Sequence, residues 1–195
     1  MGATADKLAV PLLPIVPRLE LDADGQAMLA GLADAAGAVD CLAAAGRMPD
    51  ALRLIAHALP KREAVWWACM CARAVPLVTP NSLDAEALAA AERWVRRPDE
   101  ASRREAMAAA QASGCRSPEA WAAVGAFWSG GSMAPEGQPE VPPADNLTGV
   151  AIAGAIILAA TRSKPERGPE RLVRFLEAAR DIATGGAGRL PAEED

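Results

Sequence analysis

A chain of 195 residues and 20.1 kDa has room for one domain with a substantial core. Its formal net charge of −5 and pI near 5.0 exclude the basic footprint that nucleic-acid binding needs, with Arg96-Arg97 and Arg103-Arg104 as local exceptions. About a quarter of the residues are Ala, the best intrinsic helix former, and Tyr is absent, so the expected class is all-α: about seven helices in antiparallel hairpins.

In chain order, residues 1–23 read as an extended, Pro-punctuated arm whose Leu12, Leu13, Ile15 and Val16 are too apolar to be left in water. The arm either lies along the helical body or hooks a partner that recognises extended segments. Its three prolines spoil the apolar core of a secretion signal, and a cytoplasmic protein is expected. Residues 24–184 read as one helical domain, opening with one or two short helices interrupted by Gly31 and Gly37. The next helix carries Leu52, Ile55, Ala56 and Leu59 on one face, and with Gly46, Ala51 and Ala58 it resembles half a tetratricopeptide repeat, which supports a helical hairpin and no more.

Pro60 opens a helix that has no charged residue from Ala64 to Ala72 and is therefore expected to be enclosed on every side. After a turn at Pro76 to Asn81, capping residues start three further helices: Asn81 or Ser82, then Asp99, then Ser117, the last carrying Trp121 and Trp128 on one face. Residues 129–146, rich in Pro and Gly, read as a structureless connection. Leu147 to Thr161 is uncharged but too short to cross a bilayer, so a second buried helix and no membrane are expected, capped by Asp145 or Asn146. The final helix has an apolar stripe through Phe175 and Ile182 with Arg171, Arg174 and Arg180 in water, and residues 185–195 read as a disordered tail.

The parts for catalysis are missing from the pattern. The one histidine, His57, would have to serve any imidazole mechanism. Cys69 and Cys71 lie about 200° apart around a helix and cannot jointly hold a metal. Cys41 and Cys115 complete a set of reduced structural thiols. Nucleotide-binding loops are absent, and the acids, among them Asp84, Glu119 and Asp145, sit at helix starts where capping explains them. No metal or cofactor is expected, and the protein is read as not an enzyme.

Recognition is the remaining use of the surface. Arg62, Trp66 and Arg73 share a stripe, so arginine stems can frame a groove beside the indole. Arg93, Arg96, Arg97, Arg103 and Arg104 surround Trp94 at an interhelix corner, and Trp and Arg are the residue types enriched at binding hot spots. The run Ala45-Gly46-Arg47, Asp50-Ala51-Leu52-Arg53, Ala56 through Cys69 resembles the signature of an uncharacterised bacterial family associated with type VI secretion gene clusters. The resemblance implies an accessory, adaptor or chaperone-like role toward a secretion spike or effector protein. The alternative expectation is a small-molecule sensor or enzyme with a Trp-lined pocket near His57 and Cys69 or Cys71.

Overall fold

A computed structural model describes residues 5–77, 79 and 81–193. The first four residues of the arm, Val78 and Pro80 of the turn and the last two residues of the tail lie outside them. The described residues form nine α-helices rather than about seven: α1 (Ala23–Leu29), α2 (Ala35–Ala44), α3 (Met48–Ala58), α4 (Lys61–Ala74), α5 (Ser82–Arg96), α6 (Glu100–Ala112), α7 (Pro118–Phe127), α8 (Leu147–Thr161) and α9 (Gly168–Ala183). Short 3₁₀ turns cover Val16–Arg18 and Pro165–Arg167. Asn81, Asp99 and Ser117 each accept a backbone N–H from the first turn they open. Asn146 opens α8 without such a bond, so the expected side-chain cap there does not form.

The centre of the bundle is α7 packed on α8, with α4, α5 and α6 around α7 and with α3, α4 and α9 around α8. All but Trp121 of α7 is buried, because its Ala and Gly positions let neighbours approach closely. By contrast α4 is not enclosed on every side. Trp67, Cys69 and Cys71 face inward, and Trp67 donates its indole N–H to the Phe175 carbonyl at 2.9 Å, while Arg62, Trp66, Met70 and Arg73 form an outward stripe at helical spacing. On α8, too, Val150, Ile157 and Leu158 remain exposed.

The amino-terminal arm belongs to the body. Leu8, Leu12, Ile15, Leu19 and Leu21 enter the core, and the backbone of Leu8 and Val10 accepts the N–H groups of Ala36 and Ala35 at 3.0 and 2.9 Å. Residues 129–146 contain no helix but are tied down: the Ser132 hydroxyl accepts from Ala134 and Val141, and Met133 donates to the Val141 carbonyl at 2.8 Å.

Residues 185–193 overturn the expectation of a disordered tail. They run back along α4 as a strap, with Trp66 donating to the Ala187 carbonyl at 2.8 Å and Glu193 donating its N–H to the Ala74 carbonyl at 2.8 Å. Arg171, expected in water, is fully buried for the same reason: Glu193 supplies its counter-charge.

Candidate functional site

The outward stripe of α4 meets the end of α5 in a hollow of about 320 Å³ lined by Arg62, Trp66, Val95 and Arg96, with Lys7, Glu63, Ile182 and Gly186 at its margins. Arg62 donates from Nε to the Val95 carbonyl at 2.6 Å, satisfying one of the free carbonyls at the end of α5. Arg73 forms a two-point pair with Glu92 at 2.6 and 3.0 Å, and Arg96 reaches the same carboxylate at 3.1 Å. Glu92 is itself buried, so the two arginines compensate a charge that would otherwise be costly to hold there. Of the predicted stripe, then, Arg62 and Trp66 line the hollow, and Arg73 flanks it through Glu92.

The predicted interhelix corner does not converge. Trp94 turns into the core, on a helix that packs against α4, α6 and α7. Arg103 is buried as well: its guanidinium lies 4.4 Å from the Phe127 ring centroid, donates to the carbonyls of Phe127 and Ser132 at 2.6 and 2.7 Å, and pairs with Glu100. Arg104 pairs with Glu100 and donates to the Ala134 carbonyl, so these two arginines hold the 129–146 connection rather than a partner. The Arg103 hydrogen bond is the main reason that the Glu100 carboxyl sits below its ordinary pKa. Arg93 reaches Glu86 and Glu105, and Arg97 reaches Asp99, all at the surface, where such pairs contribute little. Only Arg96 of the corner joins the hollow.

Of the two readings of the arm, a hook for a partner or a segment laid on the body, the structure has the second. Leu12 and Ile15 are buried and Val16 is half-buried, because the turn that leads into the 3₁₀ helix, with Ile15 donating to the Leu12 carbonyl, sets residues three and four apart on the bundle; of the four, Leu13, 83% exposed, points outward.

A second hollow, of about 450 Å³, lies between the 3₁₀ turn, α3 and α8, lined by Arg18, Glu20, Leu52, Arg53, His57 and the exposed apolar side chains of α8. A smaller one of about 260 Å³ continues past His57 toward Lys61, Asp145 and Gly149. His57 Nδ1 is buried without a hydrogen-bond partner, and burial, then the charges of Arg18 and Arg53, push the imidazole pKa down to about 4. Neither hollow is lined by a tryptophan or a cysteine, in contrast to the expected Trp-lined pocket. Cys69 and Cys71 are fully buried, and desolvation raises both thiols well above their ordinary pKa, which suppresses the nucleophilic thiolate. Among the described residues no cluster of three metal-ligating side chains occurs.

Sequence reasoning missed two features. One is Arg162, buried with Glu119 as an ion pair while donating to the Val75 carbonyl at 2.8 Å. The other is the cluster of Arg167, Arg171 and Arg174 around Glu193, at 3.1, 2.9 and 3.2 Å. Three arginines at spacings of four and three on and before one helix were the available signal, but their common partner lies about twenty residues away.

These features define a compact all-helical bundle with a Trp/Arg-lined hollow on its α4–α5 side. The chain belongs to DUF6931, a family of unknown function, whose model matches residues 38–183. No curated protein and no solved structure matches it.

Proposed function

We propose that the protein is a non-enzymatic, protein-binding adaptor or chaperone-like accessory that works through the α4–α5 hollow. The observation that carries this reading is that Trp66, Arg62 and Arg96 line one hollow together with the apolar Val95. An aromatic edge framed by arginines is the composition of an interaction hot spot, and here it is open to solvent. The resemblance of residues 45–69 to a family from type VI secretion gene clusters supports a delivery setting, with a spike or effector protein as partner and the cytoplasm as the place of work. The test is capture by the tagged full chain from an extract of its native host, run beside Trp66→Ala and the double variant Arg62→Glu/Arg96→Glu. A partner held by the wild type and lost by both variants is the expected result. An identical catch from all three defeats the reading, and a specific partner with no role in secretion removes the delivery setting.

A second reading, a small-molecule sensor, draws on the 450 Å³ hollow beside the unpaired His57 Nδ1, a volume in the range of natural ligand pockets. Ala153 of α8 also lines this hollow, so a metabolite that raises the melting temperature of the wild type but not of Ala153→Leu, whose side chain would project into it, would favour this reading.

A further inference from the structure

The strap formed by residues 185–193 has the features of a bound ligand. Arg171 is buried among backbone carbonyls: its Nη1 donates to those of Ala160, Arg162 and Lys164 at 2.9, 2.7 and 3.2 Å, which fixes the plane of the guanidinium. The remaining edge, Nε and Nη2, is presented to the groove between α4 and α9 and takes both oxygens of Glu193 at 2.9–3.1 Å. This is the planar two-point geometry by which arginine reads a carboxylate. Arg167 and Arg174 close on the same carboxylate from either side, leaving it 7% exposed.

Backbone recognition accompanies it. Six residues before Glu193, the Ala187 carbonyl accepts the Trp66 indole N–H, and at Glu193 itself the backbone N–H is taken by the Ala74 carbonyl at the end of α4. Arg174 adds a bond to the Pro191 carbonyl at 2.8 Å, and Leu190 packs against the core. Of the strap's own side chains, then, the groove reads one charge and one apolar group; its other bonds go to backbone, and Gly186 and Gly188 sit where a Cβ would collide with the side chains of Asp181 and Ile182, so the groove also selects glycine there. Trp66, Arg167, Arg171 and Arg174 lie within the residues matched to the family, and Glu193 lies beyond them.

We propose that the α4–α9 groove is a carboxylate-reading peptide site, that residues 185–193 occupy it in cis, and that a glycine-containing segment with an acidic side chain from a partner protein takes their place. This rests on the adaptor reading and names the partner's chemistry. Trp66 belongs to both surfaces, so release of the strap frees its indole N–H and exposes the margin of the α4–α5 hollow at Gly186. The cis segment competes at a high effective concentration, which keeps weak acidic segments out.

The experiment uses the full chain carrying Glu193→Gln and a fluorescein-labelled peptide with the sequence of residues 185–195, followed by anisotropy. The variant is expected to bind the peptide about tenfold or more tightly than the wild type, and a peptide with Gln at the Glu193 position should lose about as much, as befits a charge-assisted two-point pair. A folded variant that binds no peptide overturns the proposal and makes the strap a permanent closure. Should the variant fail to fold, hydrogen exchange on the wild type decides: amides of Gly188 and Glu193 exchanging far faster than those of α7 support a releasable strap, and exchange only through global unfolding refutes it. A wild-type dimer that dissociates when Glu193 is replaced would assign the groove to a second copy and likewise overturn the proposal. In host-extract capture, Glu193→Gln should retain more partner than the wild type. Partner lost in Trp66→Ala but unchanged in Glu193→Gln would leave the adaptor reading standing and remove this one.

Discussion

His57 and Gly149 are in face-to-backbone contact: a Cβ built at position 149 would lie 2.6 Å from the imidazole Cε1 and 2.7 Å from Cγ, and closer still to Nδ1. The glycine thus lets α8 close on α3 over the one histidine, and it explains why Nδ1 is buried without a partner. Gly154, five residues on, has open space by comparison, its nearest neighbour being the Trp121 ring at 3.8 Å.

Opposite signs are therefore expected for one substitution at two sites. Gly154→Ala should stabilise the protein by about 0.5–1 kcal/mol through reduced chain entropy in a helix. Gly149→Ala should destabilise it by about 1–3 kcal/mol, since a rigid ring must move. Urea midpoints of the two variants against the wild type check both.

Lowering the pH should expose the buried imidazole. Its pKa near 4 in the fold is below the ordinary 6.5, so as pH falls the unfolded chain takes up the proton first and stability is lost between about pH 6.5 and pH 4. Arg18, Arg53, Lys61, Glu20 and Asp145 line the two hollows beside the ring, and the charges of Arg18 and Arg53 oppose its protonation. Allowing for solvent screening of a partly exposed ring, the loss is about 1–2 kcal/mol. Glu100 and Glu193, whose carboxyls are held below the ordinary range, lose their contribution only below about pH 4.5, so measurements above that pH report the imidazole without them. Denaturation at pH 7, 5.5 and 4.8 should show the slope in the wild type and its absence in His57→Gln.

Glu119→Ala should cost about 3–5 kcal/mol, because it strands the buried Arg162 guanidinium. Arg97→Ala, which breaks an exposed pair with Asp99, should fall within about 0.5 kcal/mol of the wild type. The difference in urea midpoint between the variants measures burial rather than the number of ion pairs.

Thiol titration with an aromatic disulfide should find two classes. Cys41 and Cys115 are half-buried and react in the native protein, whereas Cys69 and Cys71 react only after denaturation. Fast reaction of either buried thiol would revive the enzyme alternative.

Much of the local architecture is legible in the sequence. Asn81, Asp99 and Ser117 announce their helices, and Leu52, Ile55, Ala56 and Leu59 announce the buried face of α3, because capping and 3.6-residue periodicity act within a few residues. The same periodicity put Arg62 and Trp66 on one stripe of α4, but that the stripe faces outward, on a helix expected to be enclosed, was decided by packing. Periodicity failed at Trp94 and Arg103, since which face of α5 or α6 meets α7 depends on how the helices pair.

Composition and spacing by themselves determined an all-α chain, its helix starts and the Trp66-bearing stripe, all consequences of short-range backbone physics. Tertiary structure alone decided that the Leu12 arm is core, that Arg162 needs Glu119, and that the last described residue, Glu193, fills a three-arginine pocket. Those pairings join residues 19 to 43 positions apart or more, where charge meets charge only after the chain has been brought back on itself.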